Sequence, residues 1–219
     1  MSWPDALEIV RARVKPDRDR HGKTRERTQW WKFSRSVPNM FAAIEDLPRF
    51  IACPAQAKRF FMVWCGPKWC PSNLTSVFAF SDDVALGVLS SSVHTRWATF
   101  QSTTLETRPR YTVNSFATFP WPHVDAAARP VIEEIAKKLV SRRSAICLDE
   151  QIGLTQLYNQ VDDGAYQDLR DLHGELDTAV AAAYGWPAAA AHDPQESNRL
   201  LLELNQAIAA GEIEYKPFD

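Results

Sequence analysis

The segment Phe119-Pro120-Trp121-Pro122 divides this chain into two kinds of sequence. Proline donates no backbone hydrogen bond and fixes its φ, so two prolines at alternate positions stop any strand or helix that reaches them. Upstream, short runs of aromatic and β-branched residues alternate with turn-forming residues. Downstream, from Asp125, apolar residues recur at spacings of three and four and keep doing so. The first pattern predicts an α+β domain over residues 1–123, with a mixed, mostly antiparallel sheet and short helices; the second predicts a small helical bundle over 124–219.

The charges divide at the same place. Residues 1–123 carry 17 Lys/Arg against 10 Asp/Glu, and residues 124–219 carry 8 against 17, within a net charge of −2. A basic half can meet a polyanion and an acidic half repels one, so any nucleic-acid surface is expected before His123. No apolar run approaches the roughly 18 to 20 residues of a membrane span, and the first twenty residues lack an apolar signal core. A cytoplasmic protein is therefore expected. The unevenly spaced Cys53, Cys65, Cys70 and Cys147 fit a reducing compartment better than a disulfide framework.

Residues 11–27 are dense in arginine and lysine without an apolar period and read as a basic loop or arm, either a solvated linker or a segment lying along phosphates. Residues 28–33, with Trp30-Trp31, read as a strand, and residues 40–47 as a short helix ended by Pro48. Residues 49–53, 58–65 and 76–80 are strand-like. Ser81-Asp82-Asp83 can cap a helix in which Leu86, Leu89, Val93, Trp97 and Phe100 form one buried stripe. Gly87, Ser91, His94 and Ala98 fall on a neighbouring face of small or polar groups, which lets another helix approach closely; His94 there reads most simply as a hydrogen-bonded structural residue. Residues 101–110 form a loop dense in groups able to reach base edges: arginine for guanine, glutamine for adenine, glutamate for the cytosine amino group. The same composition suits any exposed loop. Residues 111–116 read as a strand returning to the sheet.

Beyond Pro122, Asp125 is a helix cap, with Val131, Ile135, Leu139 and Ile146 as an apolar stripe and Arg142 and Arg143 toward the helix end. A short helix over 153–159 and a longer one over 165–184, ended by Gly185 and Pro187, follow. Asp193-Pro194-Gln195-Glu196 has the capping-box pattern ahead of Leu200, Leu201, Leu204 and Ile208.

Catalytic signatures are sparse. Cys53, Cys65, Cys70 and His94 lack the paired short spacings of a zinc module. Ser90 to Ser92 with His94 and Asp82 or Asp83 lack a G-x-S-x-G elbow. Neither phosphate-cradling glycine motif occurs. The residues alone favour a binding module over an enzyme.

One ordered series is more specific. Trp30-Trp31-Lys32-Phe33, then Asp82-Asp83, Gly87-Val88-Leu89-Ser90, His94 and Trp97, then Arg110-Tyr111 and Phe116 through Pro122, resembles the target-recognition domain of MmeI-like restriction-modification enzymes. Gly153-Leu154-Thr155-Gln156-Leu157-Tyr158-Asn159, Leu172-His173-Gly174-Glu175-Leu176-Asp177, Ala183-Tyr184-Gly185-Trp186 and Leu201-Leu202-Glu203-Leu204-Asn205 resemble that family's C-terminal helical region. Such enzymes are large bacterial polypeptides joining an adenine-N6 DNA methyltransferase, and often a nuclease, to a DNA-reading domain. The resemblance implies sequence-specific recognition of double-stranded DNA, with base readers at Gln101, Thr103, Glu106, Arg108 and Arg110. It implies phosphate contacts at Arg25, Arg27, Arg35, Lys58 and Arg59, and supporting roles for Ser91, His94 and Trp97. The family's [NDS]-P-P-[YFW] motif and glycine-containing cofactor loop do not occur here. The chain is thus expected to be a non-catalytic specificity portion, either a fragment or a separate subunit of a restriction-modification or phage-defence system. S-adenosylmethionine would then belong to a methyltransferase domain or subunit. The alternative expectation is a protein–protein adaptor that docks a larger DNA-modifying enzyme through its helical region.

Overall fold

The computed structural model describes residues 4–32, 37–105 and 108–218, with the backbone alone for 103–105 and 108. The chain forms two compact units, residues 1–43 and 44–219.

In the first unit, the end of helix α1 (Pro4–Arg13) with helices α2 (Lys15–His21) and α3 (Thr24–Thr28) takes up residues 11–27, expected to be a loop, and α4 (Pro38–Ile44) follows. None of the first three buries a residue. Their support is local and polar. Glu8 pairs with Arg11 at 2.8 Å, Lys15 with Asp19 at 2.5 Å, and Asp17 with His21 at 3.1 Å, all one helical turn apart. The strand expected over 28–33 is absent among the described residues: Thr28 closes α3, its hydroxyl donating to the Thr24 carbonyl at 3.1 Å, and a turn follows. Trp30 and Trp31 meet edge to face with centroids 5.6 Å apart.

The second unit is α+β. Strands β1 (Phe50–Pro54), β2 (Val63–Cys65) and β3 (Thr75–Phe78) form an antiparallel sheet in the order β2-β1-β3. The first four residues of central β1 are all buried because its alternating side chains serve two cores. Phe50 and Ala52 join Ile44 and Cys65 in a small cluster, whereas Ile51 and Cys53 enter the main core with Phe78. Cys53 and Cys65 consequently belong to different clusters, and no metal-binding group of His, Cys, Asp and Glu occurs among the described residues.

Next come α5 (Asp83–Ser90) and α6 (Ser92–Phe100). Asp82 caps α5 as expected, accepting from the Ala85 N–H at 2.9 Å. The single helix expected here is broken at Ser91, whose extended ψ of 153° ends one helix and starts the next. The buried Ser91 hydroxyl donates to the Val88 carbonyl at 2.7 Å and accepts from the His94 N–H at 3.3 Å, so the break leaves few orphan groups. Strands β4 (Thr103–Leu105) and β5 (Arg108–Arg110) then form a hairpin, and α7 (Val113–Ala117) replaces the strand expected over 111–116. Thr112 selects the helix by accepting from the Ser115 N–H at 3.1 Å.

The remaining helices are α8 (Ala128–Asp149), α9 (Leu154–Asp162), α10 (Gln167–Ala183), α11 (Ala188–His192) and α12 (Pro194–Ala209). Gly185, at φ +74°, closes α10: its N–H donates to Ala182 and that of Trp186 to Ala181, satisfying the last carbonyls. Asp193 caps α12, accepting from Gln195 and Glu196, while the Glu196 carboxylate turns to Arg199 instead of closing the box.

The boundary expected between residues 123 and 124 runs through this unit. Gly87 of α5 lies so close to α8 that an added Cβ would stand 2.7 Å from Ile132 Cγ2 and 3.3 Å from Ala136 Cβ. The proline segment is clamped from the helical side: the Tyr184 hydroxyl donates to the Pro120 carbonyl at 2.7 Å, and Asn205 donates to the Thr118 carbonyl at 2.7 Å. One core extends from Ile51 to Leu201. Among the described residues, no helix is long and apolar enough to cross a membrane.

Candidate nucleic-acid interface

The β4–β5 hairpin grows from the C-terminal end of α6 and is tied down on both sides. Its register sets Thr103 opposite Arg110, Thr104 opposite Pro109 and Leu105 opposite Arg108. Pro109 is buried and Arg110 is exposed. On the α6 side, the Ser102 hydroxyl donates to the Ala98 carbonyl at 2.5 Å. On the other side, the Tyr111 N–H donates to the Ala55 carbonyl at 2.8 Å, and Gln56 bridges to Arg110, joining the hairpin base to the end of β1.

A buried polar chain runs beneath this anchor. His94 is fully buried, with Nδ1 2.7 Å from the Leu89 carbonyl and Nε2 2.9 Å from the Tyr111 hydroxyl. A carbonyl only accepts, so Nδ1 carries the proton there. Burial pushes the imidazole pKa down to about 4, which keeps it neutral near pH 7 and leaves Nε2 to accept from the Tyr111 O–H. The Tyr111 ring packs edge-on against Phe60 and Phe78, at 5.2 and 5.7 Å between centroids. Both nitrogens of His94 are occupied by groups other than a serine hydroxyl, and Asp82 and Asp83 are engaged elsewhere, Asp83 by Arg49 at 2.9 Å. No Ser–His nucleophile pair is assembled at Ser90, Ser91 or Ser92.

Helix α6 is fixed at its other end by a residue 85 positions away. Asp177 of α10 accepts from the Ser92 N–H at 2.7 Å and from its hydroxyl at 2.5 Å. Trp97 is buried and Arg96 donates to the Ala191 carbonyl at 2.8 Å. The platform under the hairpin is therefore held from both ends by long-range bonds.

Of the residues expected to read bases, Gln101 is exposed at the α6 C-terminus and Arg110 is exposed on β5. Thr103 pairs with Arg110 and Arg108 with Leu105 in the backbone register, their side chains lie outside the description, and Glu106 lies outside the described residues. Of the residues expected at phosphates, Lys58 is exposed near the bridging Gln56. Arg59 is engaged within the fold, donating to the Tyr158 carbonyl at 2.9 Å and to the Asp162 carboxylate. Arg25 and Arg27 lie on α3 of the first unit, where Arg27 donates to the Gly22 carbonyl at 2.9 Å, and Arg35 lies outside the described residues. Tyr111 and Asp177 went unread in the sequence as anchors. Nothing local marks either, because their partners are 17 and 85 residues away.

No family model and no curated protein matches this chain. Among solved structures it is similar to the type IIL restriction-modification enzyme MmeI, determined in complex with DNA, with a TM-score of 0.79 and 22% identity over 94% of this chain. The likeness shows a shared fold. The chain spans about a quarter of that enzyme's length, covering 26% of it.

Proposed function

We propose that this chain recognises a specific sequence in double-stranded DNA as the specificity portion of a bacterial adenine-N6 DNA methyltransferase in a restriction-modification system. The observation that carries the reading is the fold shared, over nearly the whole chain, with an enzyme solved on DNA. Support comes from a hairpin that exposes Arg110, is anchored at both ends and is set in the basic stretch of the chain. A rigid support suits base readout, because hydrogen-bonding groups must meet base edges within a fraction of an ångström.

In this reading Arg108 and Arg110 take guanine N7 and O6, Gln101 and Glu106 take adenine and the cytosine amino group, and Thr103 supports the edge contacts. Lys58 and the arginines at 25, 27 and 35 neutralise phosphates, which position the protein without specifying sequence. Arg59 contributes less, since Asp162 already holds its guanidinium. Methylation would require S-adenosylmethionine and a methyltransferase domain or subunit, because the catalytic motif and cofactor loop of such enzymes do not occur in this sequence.

Fluorescence anisotropy with a target duplex tests this reading. Affinity should fall steeply with salt, and Arg110→Ala should cost about 1–3 kcal/mol at a single base pair while leaving non-specific binding nearly intact. Equal loss on target and random duplex would demote Arg110 to a phosphate contact, and salt-independent or absent binding would remove the proposed role.

A further inference from the structure

A cleft of about 550 Å³ lies between the segment after β1 and helices α5, α6, α8, α9 and α10. Its lining includes three arginines, Arg59, Arg143 and Arg170, against two aspartates, Asp162 and Asp177. Arg59 is paired with Asp162. Both oxygens of Asp177 are taken by Ser92. Arg170 is spent on neutral acceptors, the Val161 and Ala165 carbonyls and the Gln167 side chain. Arg143 is different. It is 4% exposed, donates to the Met62 carbonyl at 3.0 Å, lies within hydrogen-bonding reach of the Tyr158 hydroxyl, and has no carboxylate within ion-pair distance among the described residues.

An arginine cannot shed its proton to escape burial, and a buried charge without a counter-charge is expensive. Nearby groups register that field. His173, 2.6 Å from the Tyr158 hydroxyl, has its pKa pushed down to about 4 by burial and then by the Arg143 charge, so the imidazole is neutral and adds no compensation. The Ser90 hydroxyl, on a half-buried residue lining the same cleft, is itself buried and has no hydrogen-bond partner among the described residues. A guanidinium without a carboxylate partner, an unpartnered hydroxyl and one excess positive charge in one cleft are the groups that an oxyanion needs. The walls beside them are aromatic, with Phe61 and Tyr158 at 4.8 Å between centroids, and the volume exceeds what a bare oxyanion fills.

We propose that this cleft binds a small organic phosphate, a nucleoside monophosphate by class, with the phosphate on Arg143 and Ser90 and the ring system against Phe61 and Tyr158. The burial of Arg143 favours a small ligand over the backbone of a duplex, and none of the cleft's lining residues belongs to β4 or β5.

Isothermal titration of the full chain at constant ionic strength with AMP, inorganic phosphate, adenosine and acetate tests it. Saturable binding is expected for AMP and, more weakly, for phosphate, with none for adenosine or acetate. Arg143→Met should fold, with a melting temperature equal to or above that of the parent because it removes an uncompensated charge, and should weaken AMP at least about tenfold. Ser90→Ala, which removes one oxygen from a half-buried residue, should weaken it by a lesser factor and keeps the test open if Arg143→Met fails to fold. Absence of saturable AMP binding, acetate binding as tight as phosphate, or unchanged binding in a folded Arg143→Met or Ser90→Ala protein overturns the site. Displacement of a bound duplex by AMP would also overturn it, by moving the phosphate contact to the DNA surface.

Discussion

His94 connects the helix break at Ser91 to the hairpin base: one nitrogen holds the end of α5 and the other holds Tyr111. Its neutrality has a measurable consequence. Burial pushes the pKa of both His94 and His173 to about 4, below the ordinary value of 6.5, so between those limits the unfolded chain binds protons that the folded chain does not. Stability contributed by these histidines is complete above pH 6.5 and is lost as pH falls toward 4. Asp177, raised by burial, acts in the opposite sense, since its protonated form is favoured in the fold. With two histidines against one carboxyl, the urea midpoint should drop between pH 7.5 and 5, and His173→Gln should flatten the dependence. A midpoint that holds or rises at pH 5 would mean that the imidazoles are charged or solvated. At this scale the sequence was informative where a residue departs from its local pattern. Arg143 falls four residues after Leu139 and three before Ile146, on the buried stripe of α8, a position visible in the spacing yet read only as a charge near a helix end.

At the level of elements, legibility followed the source of stability. Helices α8, α10 and α12 have apolar stripes and end signals such as Gly185 and Asp193, and they formed close to where the spacing put them. Helices α1 to α3 went unread because ion pairs between charged neighbours in α1 and α2, and local hydrogen bonds from Lys23 and Thr28 at α3, accompany them in place of apolar periodicity. The α7 helix hid behind β-favouring residues until its Thr112 cap decided it, and the split at Ser91 turned on one buried hydroxyl. The small-residue face around Gly87 was legible, and α8 does approach there. Gly87→Ala should therefore destabilise the protein, although alanine is the better helix former, because the Cβ would overpack against Ile132; a loss of about 1–3 kcal/mol is expected in equilibrium denaturation. A neutral or stabilising result would mean that α5 and α8 can separate at little cost.

The whole chain carries a charge division that its packing ignores. The basic and acidic stretches meet at the proline segment, yet Tyr184 and Asn205 grip that segment and a common core crosses it. Composition reports what a surface can attract, and contact decides what folds together. Separately expressed residues 1–123 and 124–219 should each fail to give a cooperative unfolding transition, whereas 44–219 should give one; two cooperative transitions from the first pair would restore the boundary at 123. The hairpin, exposing Arg110 and supported through Tyr111 and His94, is the feature on which the proposed DNA reading depends. Selection of bound duplexes from a randomised pool, at a salt concentration that suppresses non-specific binding, measures that reading most directly. The account predicts one enriched sequence of several base pairs, with preference at a single position relaxed in Arg110→Ala; recovery of an unenriched pool by the folded protein would contradict it.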